Sequence, residues 1–175
     1  MKEGDQIVHA SRSVVDDTVH YVIDTRGSTF VVQAFATGLL SAFGHNPKIA
    51  VRDFQGNVNF KLTGLTLEDA RLNLKIPAES LEVIDDISEK DRQEIHQKMC
   101  EEVLEAHRYP QIAYECSRVS ASGSGDRYWV ALNGELTLHG ETHSVPVSAR
   151  VAINGSSMRL RASSRSDRLT MELLP

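Results

Sequence analysis

Apolar and polar residues alternate along much of the chain. In "DARLNLKIP", Leu72, Leu74 and Ile76 lie on one side of an extended backbone and polar residues lie on the other. A strand with one face against the core and one face in water has this pattern. The same alternation recurs in "RYWVALNGELTL" and "HSVPVSARVAI". These segments therefore predict antiparallel strands.

A helical period occurs in one region, "SEKDRQEIHQKMCEEVLEAHRYP". Ile95, Met99 and Val103 fall on one stripe, while the remaining positions are strongly charged. Ser88 is a suitable N-cap residue, and a proline beyond the far end prevents continuation. The pattern predicts one surface α-helix over about residues 88–107, with its apolar stripe against a sheet.

The order of the predicted elements indicates a mainly β protein. Strands do not alternate with helices, which argues against a parallel α/β sheet. About eight antiparallel strands can close into an up-and-down barrel with room for one ligand. We expect a flexible leader over residues 1–19 and a single barrel domain over residues 20–175. The alternation stops after about residue 162, so the tail is atypical.

The charge balance narrows the classes of partner. The 175 residues carry a formal net charge of −5, which argues against a nucleic-acid partner and, more weakly, against an anionic membrane surface. Arg159 and Arg161 begin a run of arginines in "RLRASSRSDR". The run is either a basic patch or a solvated outer strand face, and the negative net charge favours the second interpretation. No apolar run is long enough for a membrane-spanning helix, so an integral membrane protein is not expected.

Two features of the chain bear on its compartment. The first residues, "MKEGDQIVHASRSVVDD", contain no apolar segment typical of a secretion signal. We expect a cytoplasmic protein, or a periplasmic one if a signal was removed. The two cysteines, Cys100 and Cys116, form no metal-binding or redox motif and are interpreted as reduced structural residues.

Candidate chemistry is confined to histidines, since the sequence contains no nucleophile elbow and no phosphate-binding loop. His139 and His143 flank Glu141 in "LTLHGETHS". Zinc needs at least three converging ligands, and a turn directs side chains apart. We therefore favour a solvated hairpin with local hydrogen bonds. The alternative is a small metal-dependent enzyme that uses His45, His139 and His143.

Several segments together resemble a known family. They are "YVIDTRGSTFVVQAFATG", the helix followed by "RYPQIAYECSRV", the hairpin "LNGELTLHGETHSVPVSARV" and the strand "MRLRAS". Over most of residues 20 to 162 the chain resembles the YceI-like family of bacterial polyisoprenoid-binding proteins. The helix-to-"RYPQIAYE" junction and the "LTLHGET" hairpin are the specific parts of this resemblance.

The resemblance implies a lipocalin-like barrel that encloses a long amphiphilic lipid, either a polyisoprenoid or a quinone-like molecule. The implied function is lipid transport or sequestration without catalysis, so the protein would not be an enzyme. No cofactor is implied apart from the bound lipid. Several members are dimers, which makes a homodimer an expectation here.

The tail departs from the family pattern. Members usually end in a further strand that helps to close the barrel, whereas this chain reads "SSRSDRLTMELLP". An unclosed barrel would expose a strand edge that can pair with another chain. A third hypothesis is therefore an interaction module that binds partners through this edge.

The inward faces of the predicted strands are the candidate binding surface. His45 and Asn46, with Arg52, are expected at a mouth of the barrel, where they would contact a polar head group. Alternation alone does not distinguish residues that line a space from residues that fill it. The expected lining residues are Phe30, Val32, Ala34, Leu72, Leu74, Ile76, Ile112, Tyr114, Val130, Leu132, Leu136, Val147 and Val151.

Overall fold

The computed structural model describes residues 6–15, 18–33, 47–63 and 66–163. One helix, α1 (Glu89–Lys98), continues into a π-helical turn over Met99–Val103. The strands are β1 (Gln6–Val15), β2 (Thr18–Gln33), β3 (Lys48–Val51), β4 (Gln55–Thr63), β5 (Thr66–Pro77), β6 (Leu81–Val83), β7 (Gln111–Ser124), β8 (Arg127–Leu138), β9 (Glu141–Asn154) and β10 (Ser157–Ser163).

Eight of the strands form an uninterrupted ring of antiparallel pairings. Their order is β1-β10-β9-β8-β7-β5-β4-β2, and β2 pairs with β1 to complete the ring. The predicted antiparallel β-barrel of about eight strands with one surface helix is therefore confirmed. Strands β3 and β6 lie outside the ring and extend the sheet from the second half of β2.

Strand β1 closes the barrel, although its residues were expected to form a loosely held leader. Val8 pairs with Leu160 of β10, and Ala10 pairs with Ile23 of β2. Val8 and Ala10 are both buried. The expectation of a flexible leader is thus wrong for Gln6–Val15, because these residues hydrogen-bond on both sides. Since β10 is paired, the seam invoked for the interaction-module hypothesis does not occur within the described strands.

Helix α1 begins as the sequence predicts and ends earlier. The Ser88 side chain accepts a hydrogen bond from the backbone N–H of Asp91 at 3.1 Å, so Ser88 is the N-cap. Ile95, Met99 and Val103 are at most 2% exposed, which verifies the apolar stripe. Beyond Met99 the backbone widens into the π-turn, so the regular helix does not reach residue 107.

The buried side chains form two clusters inside the molecule. The helix-packed cluster contains residues from the helix segment, from strands and from the connections between strands, including Phe54, Ala78, Met99 and Val103. The barrel cluster contains strand residues only, such as Phe60. Leucines that contact both clusters join them, namely Leu74, Leu136 and Leu160.

Candidate ligand-binding site

A narrow apolar cavity lies within the barrel cluster. The cavity has a volume of about 40 Å³, and a single water molecule needs roughly 10–15 Å³ of such space. Six of the eight barrel strands contribute to the wall, and all of its residues except Arg71 are apolar. The lining residues are Val58, Phe60, Leu67, Ala70, Arg71, Leu72, Val119, Val130, Leu132, Val151, Ile153, Met158 and Leu160.

Buried and exposed side chains alternate along strand β8, so the strand contacts both the cavity and the solvent. Tyr128, Val130 and Leu132 are buried, whereas Trp129 and Ala131 between them are exposed. Successive side chains of a strand point to opposite faces, so a buried residue at every second position lies inside the ring. The same period in β9 and β10 directs Val151, Ile153, Met158 and Leu160 to the cavity.

Tyr114 is buried in the barrel cluster where β7 and β8 face each other. Its hydroxyl donates a hydrogen bond to the carbonyl of Val145 at 3.0 Å. The ring lies over Gly134, and a Cβ atom there would be 2.4 Å from the Tyr114 Cζ. Burial raises the pKa of Tyr114 to about 12. The phenol is therefore protonated at neutral pH and acts as a hydrogen-bond donor.

Four of the predicted lining residues border the cavity: Leu72, Val130, Leu132 and Val151. Others in the barrel cluster lie away from it, namely Leu74, Tyr114, Leu136 and Val147. A third group, Phe30, Ile76 and Ile112, belongs to the helix-packed cluster. Val32 is 44% exposed. Ala34, His45 and Asn46 lie outside the described residues.

The prediction missed eight apolar lining residues: Val58, Phe60, Leu67, Ala70, Val119, Ile153, Met158 and Leu160. Two of the missed pairs show the same alternation that identified the others. Val58 and Phe60 alternate in "VNFKL", and Met158 and Leu160 alternate with arginines in "MRLRAS". The signal was therefore present, and applying it to every predicted strand would have found these four residues.

The two histidines of the "LTLHGETHS" hairpin have separate environments. The Nε2 atom of His139 lies 2.6 Å from a carboxylate oxygen of Glu105, just after the helix segment. Its ring also packs on Tyr109, with 4.5 Å between centroids. A Cβ atom at Gly140 would lie 2.5 Å from Tyr109. His139 thus links the hairpin to the end of the helix, in place of the solvated hairpin position that we favoured.

His143 is exposed and faces Glu141, with 3.1 Å between the nearest nitrogen and oxygen. Among the described residues, no group of three or more His, Cys, Asp or Glu side chains is arranged to hold a metal ion. His45, the third histidine of the metal hypothesis, is not among these residues. Arg52, expected at the mouth, forms an ion pair with Glu82.

Both cysteines carry free thiols, as the sequence predicts. Burial, together with the carboxylates of Glu79 and Glu101, raises the pKa of the Cys100 thiol. A raised pKa keeps a thiol protonated at neutral pH and makes it a poor nucleophile. In the part of the chain that the structure describes, no helix has the length and apolar character needed to cross a membrane.

Comparison with known proteins agrees with the fold and with the sequence motifs. The YceI-like domain matches residues 21–171. The crystal structure of BcnA from Burkholderia cenocepacia superimposes with a TM-score of 0.51. It covers 90% of this chain and 93% of BcnA at 14% identity, a level that shows a shared fold alone. No curated protein matches the chain. Because the matched domain spans most of the sequence, the chain belongs to the YceI-like family.

Proposed function

We propose that the protein binds a long amphiphilic lipid inside the barrel and carries or sequesters it. The lipid class is a polyisoprenoid or a quinone-like molecule, and no bond is made or broken. The observation that carries the proposal is the cavity in the barrel cluster, whose wall is apolar except for Arg71. Membership of the YceI-like family supports the same function.

The hydrophobic effect supplies the driving force for loading. Each Å² of apolar lipid surface removed from water contributes about 25 cal/mol. A long lipid needs more space than the cavity offers, so loading requires neighbouring side chains to change rotamer. Leu67, Met158 and Leu160 suit this role, because they line the cavity and have no β-branch that restricts their rotamers.

Arg71 touches the cavity, but it neighbours Leu72, whose side chain points inward, so the exposed Arg71 guanidinium lies on the outer face of β5. The polar head group is therefore expected at a mouth of the barrel. His45 and Asn46 stay predicted head-group contacts. A homodimer and a cytoplasmic location likewise stay predictions, to be tested by light scattering and by cell fractionation.

Organic extraction followed by mass spectrometry tests the proposal. The wild-type protein, expressed in cells that make prenyl lipids, should release one lipid class at near-stoichiometric yield. Val130→Phe puts an aromatic ring into the cavity and should reduce the yield at least about tenfold, since overpacking a confined space is unfavourable. Val22→Phe is the matched control, because Val22 lies on strand β2 and is 60% exposed.

Retention of lipid by the control and loss by Val130→Phe would support binding inside the barrel. Equal yields from both variants would place the lipid elsewhere and contradict the proposal. A wild-type yield far below one lipid per chain, from cells rich in prenyl lipids, would contradict the proposed ligand class.

A further inference from the structure

The outer surface of strands β8, β9 and β10 carries a compact basic grid. Register places Arg127, Ala152 and Arg159 in one row across the three strands. Trp129, Arg150 and Arg161 form the next row on the same face. All six residues are exposed, and five of them are arginine or tryptophan. Neighbouring strands are about 4.8 Å apart and alternate residues about 7 Å apart, so four positive charges share a small area.

Within the described part of the chain, carboxylates lie at the margins of this basic grid. Asp126 occupies the hairpin tip beside Arg127. In the strand register, Asp24 of β2 pairs with His9 of β1, and His9 pairs with Arg159 of β10. Asp24 therefore lies two strands beyond the grid. Glu135 is on the same face of β8 but about 20 Å from Trp129 along the strand. None of the ion pairs in the described residues involves Arg127, Arg150 or Arg159.

The grid is unfavourable for the isolated fold. Four arginines are grouped on one face of three strands, and their like charges repel each other. Trp129 is 61% exposed, although burial of its ring would be favourable. The Arg150 guanidinium lies 4.8 Å from the centre of the Trp129 ring, which holds the two side chains together. An anionic surface that also accepts an aromatic ring would relieve both costs.

We propose that the basic grid is a docking surface for an anionic lipid bilayer. Arginines bind lipid phosphates through paired hydrogen bonds, and tryptophan prefers the head-group region of a membrane. The neighbouring residues on this face are small and do not obstruct the approach of the arginine and tryptophan side chains to a bilayer. They are Ser122, Ala131, Ser148 and Ala152. The protein would bind peripherally, at the outer face of strands whose inner face lines the cavity. This proposal does not depend on the identity of the barrel ligand.

A bilayer fits the grid better than a nucleic acid or an acidic protein. The net charge of −5 repels a nucleic acid and an anionic bilayer alike, so it does not distinguish between them. A charge patch a few residues across contacts few phosphates of a nucleic acid, whereas a bilayer presents a continuous anionic plane. A flat exposed tryptophan between arginines matches that plane.

Tryptophan fluorescence gives a direct test, because Trp129 is the only tryptophan in the chain. Vesicles of phosphatidylcholine with phosphatidylglycerol should shift its emission to shorter wavelength at low salt. Vesicles of phosphatidylcholine alone should not, and high salt should reverse the shift. Replacing Arg150 and Arg161 with glutamine should weaken binding about thirtyfold, from the attraction that each basic residue near an anionic membrane contributes.

Two variants separate docking from folding and from net charge. Lys75→Gln combined with Lys90→Gln removes two exposed charges from β5 and α1, outside the grid, and should bind like the wild type. Ala152→Glu places a carboxylate between Arg127 and Arg159; it should keep or raise the thermal midpoint and abolish vesicle binding. Equal vesicle binding by the Arg150/Arg161 and the Lys75/Lys90 glutamine variants would overturn the proposal. Binding of the wild type to DNA or polyglutamate without binding to vesicles would overturn it as well.

Discussion

The two buried clusters differ in the elements that build them, and a cavity borders one of them. In the helix-packed cluster, the helix segment contributes Met99, Val103 and Leu104, which enter the space between the strands. Among the described residues, the barrel cluster is built from strand residues alone, and they meet across the ring around a cavity. An eight-stranded barrel is just wide enough for its own side chains to fill. Side chains from the helix segment therefore distinguish the helix-packed cluster from the barrel cluster, whose strand residues border the cavity.

The largest expected difference between the clusters comes from truncating a phenylalanine in each. Phe54 is 2% exposed and packs edge-on against Phe30 at 4.7 Å. Phe54→Ala should lower the free energy of unfolding by about 3–5 kcal/mol. Phe60→Ala should lower it by about 2 kcal/mol, because that ring already borders empty space and loses fewer contacts. Urea unfolding curves measure both; equal losses would contradict the contrast.

Enlarging an alanine provides a second, smaller contrast. Ala78 is 1% exposed in the helix-packed cluster, and Ala70 lines the cavity. Ala78→Leu should cost about 1–3 kcal/mol, because the added carbons have no space. Ala70→Leu should be neutral or stabilising, because the added carbons fill existing space. Thermal unfolding compares the two variants. A similar loss in both would show that the barrel cluster is packed as tightly as the other.

Tyr114 provides a pH-dependent test of burial in the barrel cluster. Tyr114→Phe removes the hydrogen bond to Val145 and should cost about 1 kcal/mol at pH 7. Burial raises the pKa of Tyr114 from 10.0 to about 12, so its stabilising effect is complete below pH 10. Between these values the unfolded chain loses the proton and the folded chain keeps it. Wild-type stability should therefore fall by about 1.4 kcal/mol per pH unit.

Subtracting the stability of Tyr114→Phe from that of the wild type isolates this effect from other titrating groups. The difference should favour the wild type at pH 7 and decrease steadily from pH 10 upward. A difference independent of pH would mean that the Tyr114 hydroxyl is as well solvated in the folded protein as in the unfolded chain.

The smallest effect is expected outside both clusters, at His143. The side chains of His143 and Glu141 are 65% and 76% exposed. An exposed pair of this kind contributes little, so His143→Ala should change the free energy of unfolding by less than about 0.5 kcal/mol. Chemical denaturation at neutral pH measures the change. A loss of more than about 1 kcal/mol would reveal a contact that this exposed position does not suggest.

Local patterns in the sequence predicted the helix start, the apolar stripe and most of the strands. The N-cap Ser88 and the buried Ile95 could be predicted, because their patterns involve residues within a few positions along the chain. Strand β1 was missed for the opposite reason. Its weak pattern becomes a strand only because β2 and β10, one of them distant in sequence, supply hydrogen-bonding partners.

The cavity was harder to predict than the fold. Val130 lines it while Ile112 does not, although both are apolar inward residues of barrel strands. The difference depends on which end of the barrel the helix covers, which alternation does not encode. The basic grid was hidden in a similar way. Arg159 and Arg161 are separated by one residue in sequence, but Arg127 and Arg150 join them only through the strand register.

The most direct test of the central claim is a binding titration of delipidated protein with a fluorescent long-chain prenol. The wild type and Val22→Phe should bind one molecule per chain with equal affinity. Val130→Phe should bind at least about tenfold more weakly, because its ring occupies the space that the lipid chain requires. Equal affinity for all three proteins, or binding that never saturates, would contradict the claim that the barrel cluster accepts an apolar guest.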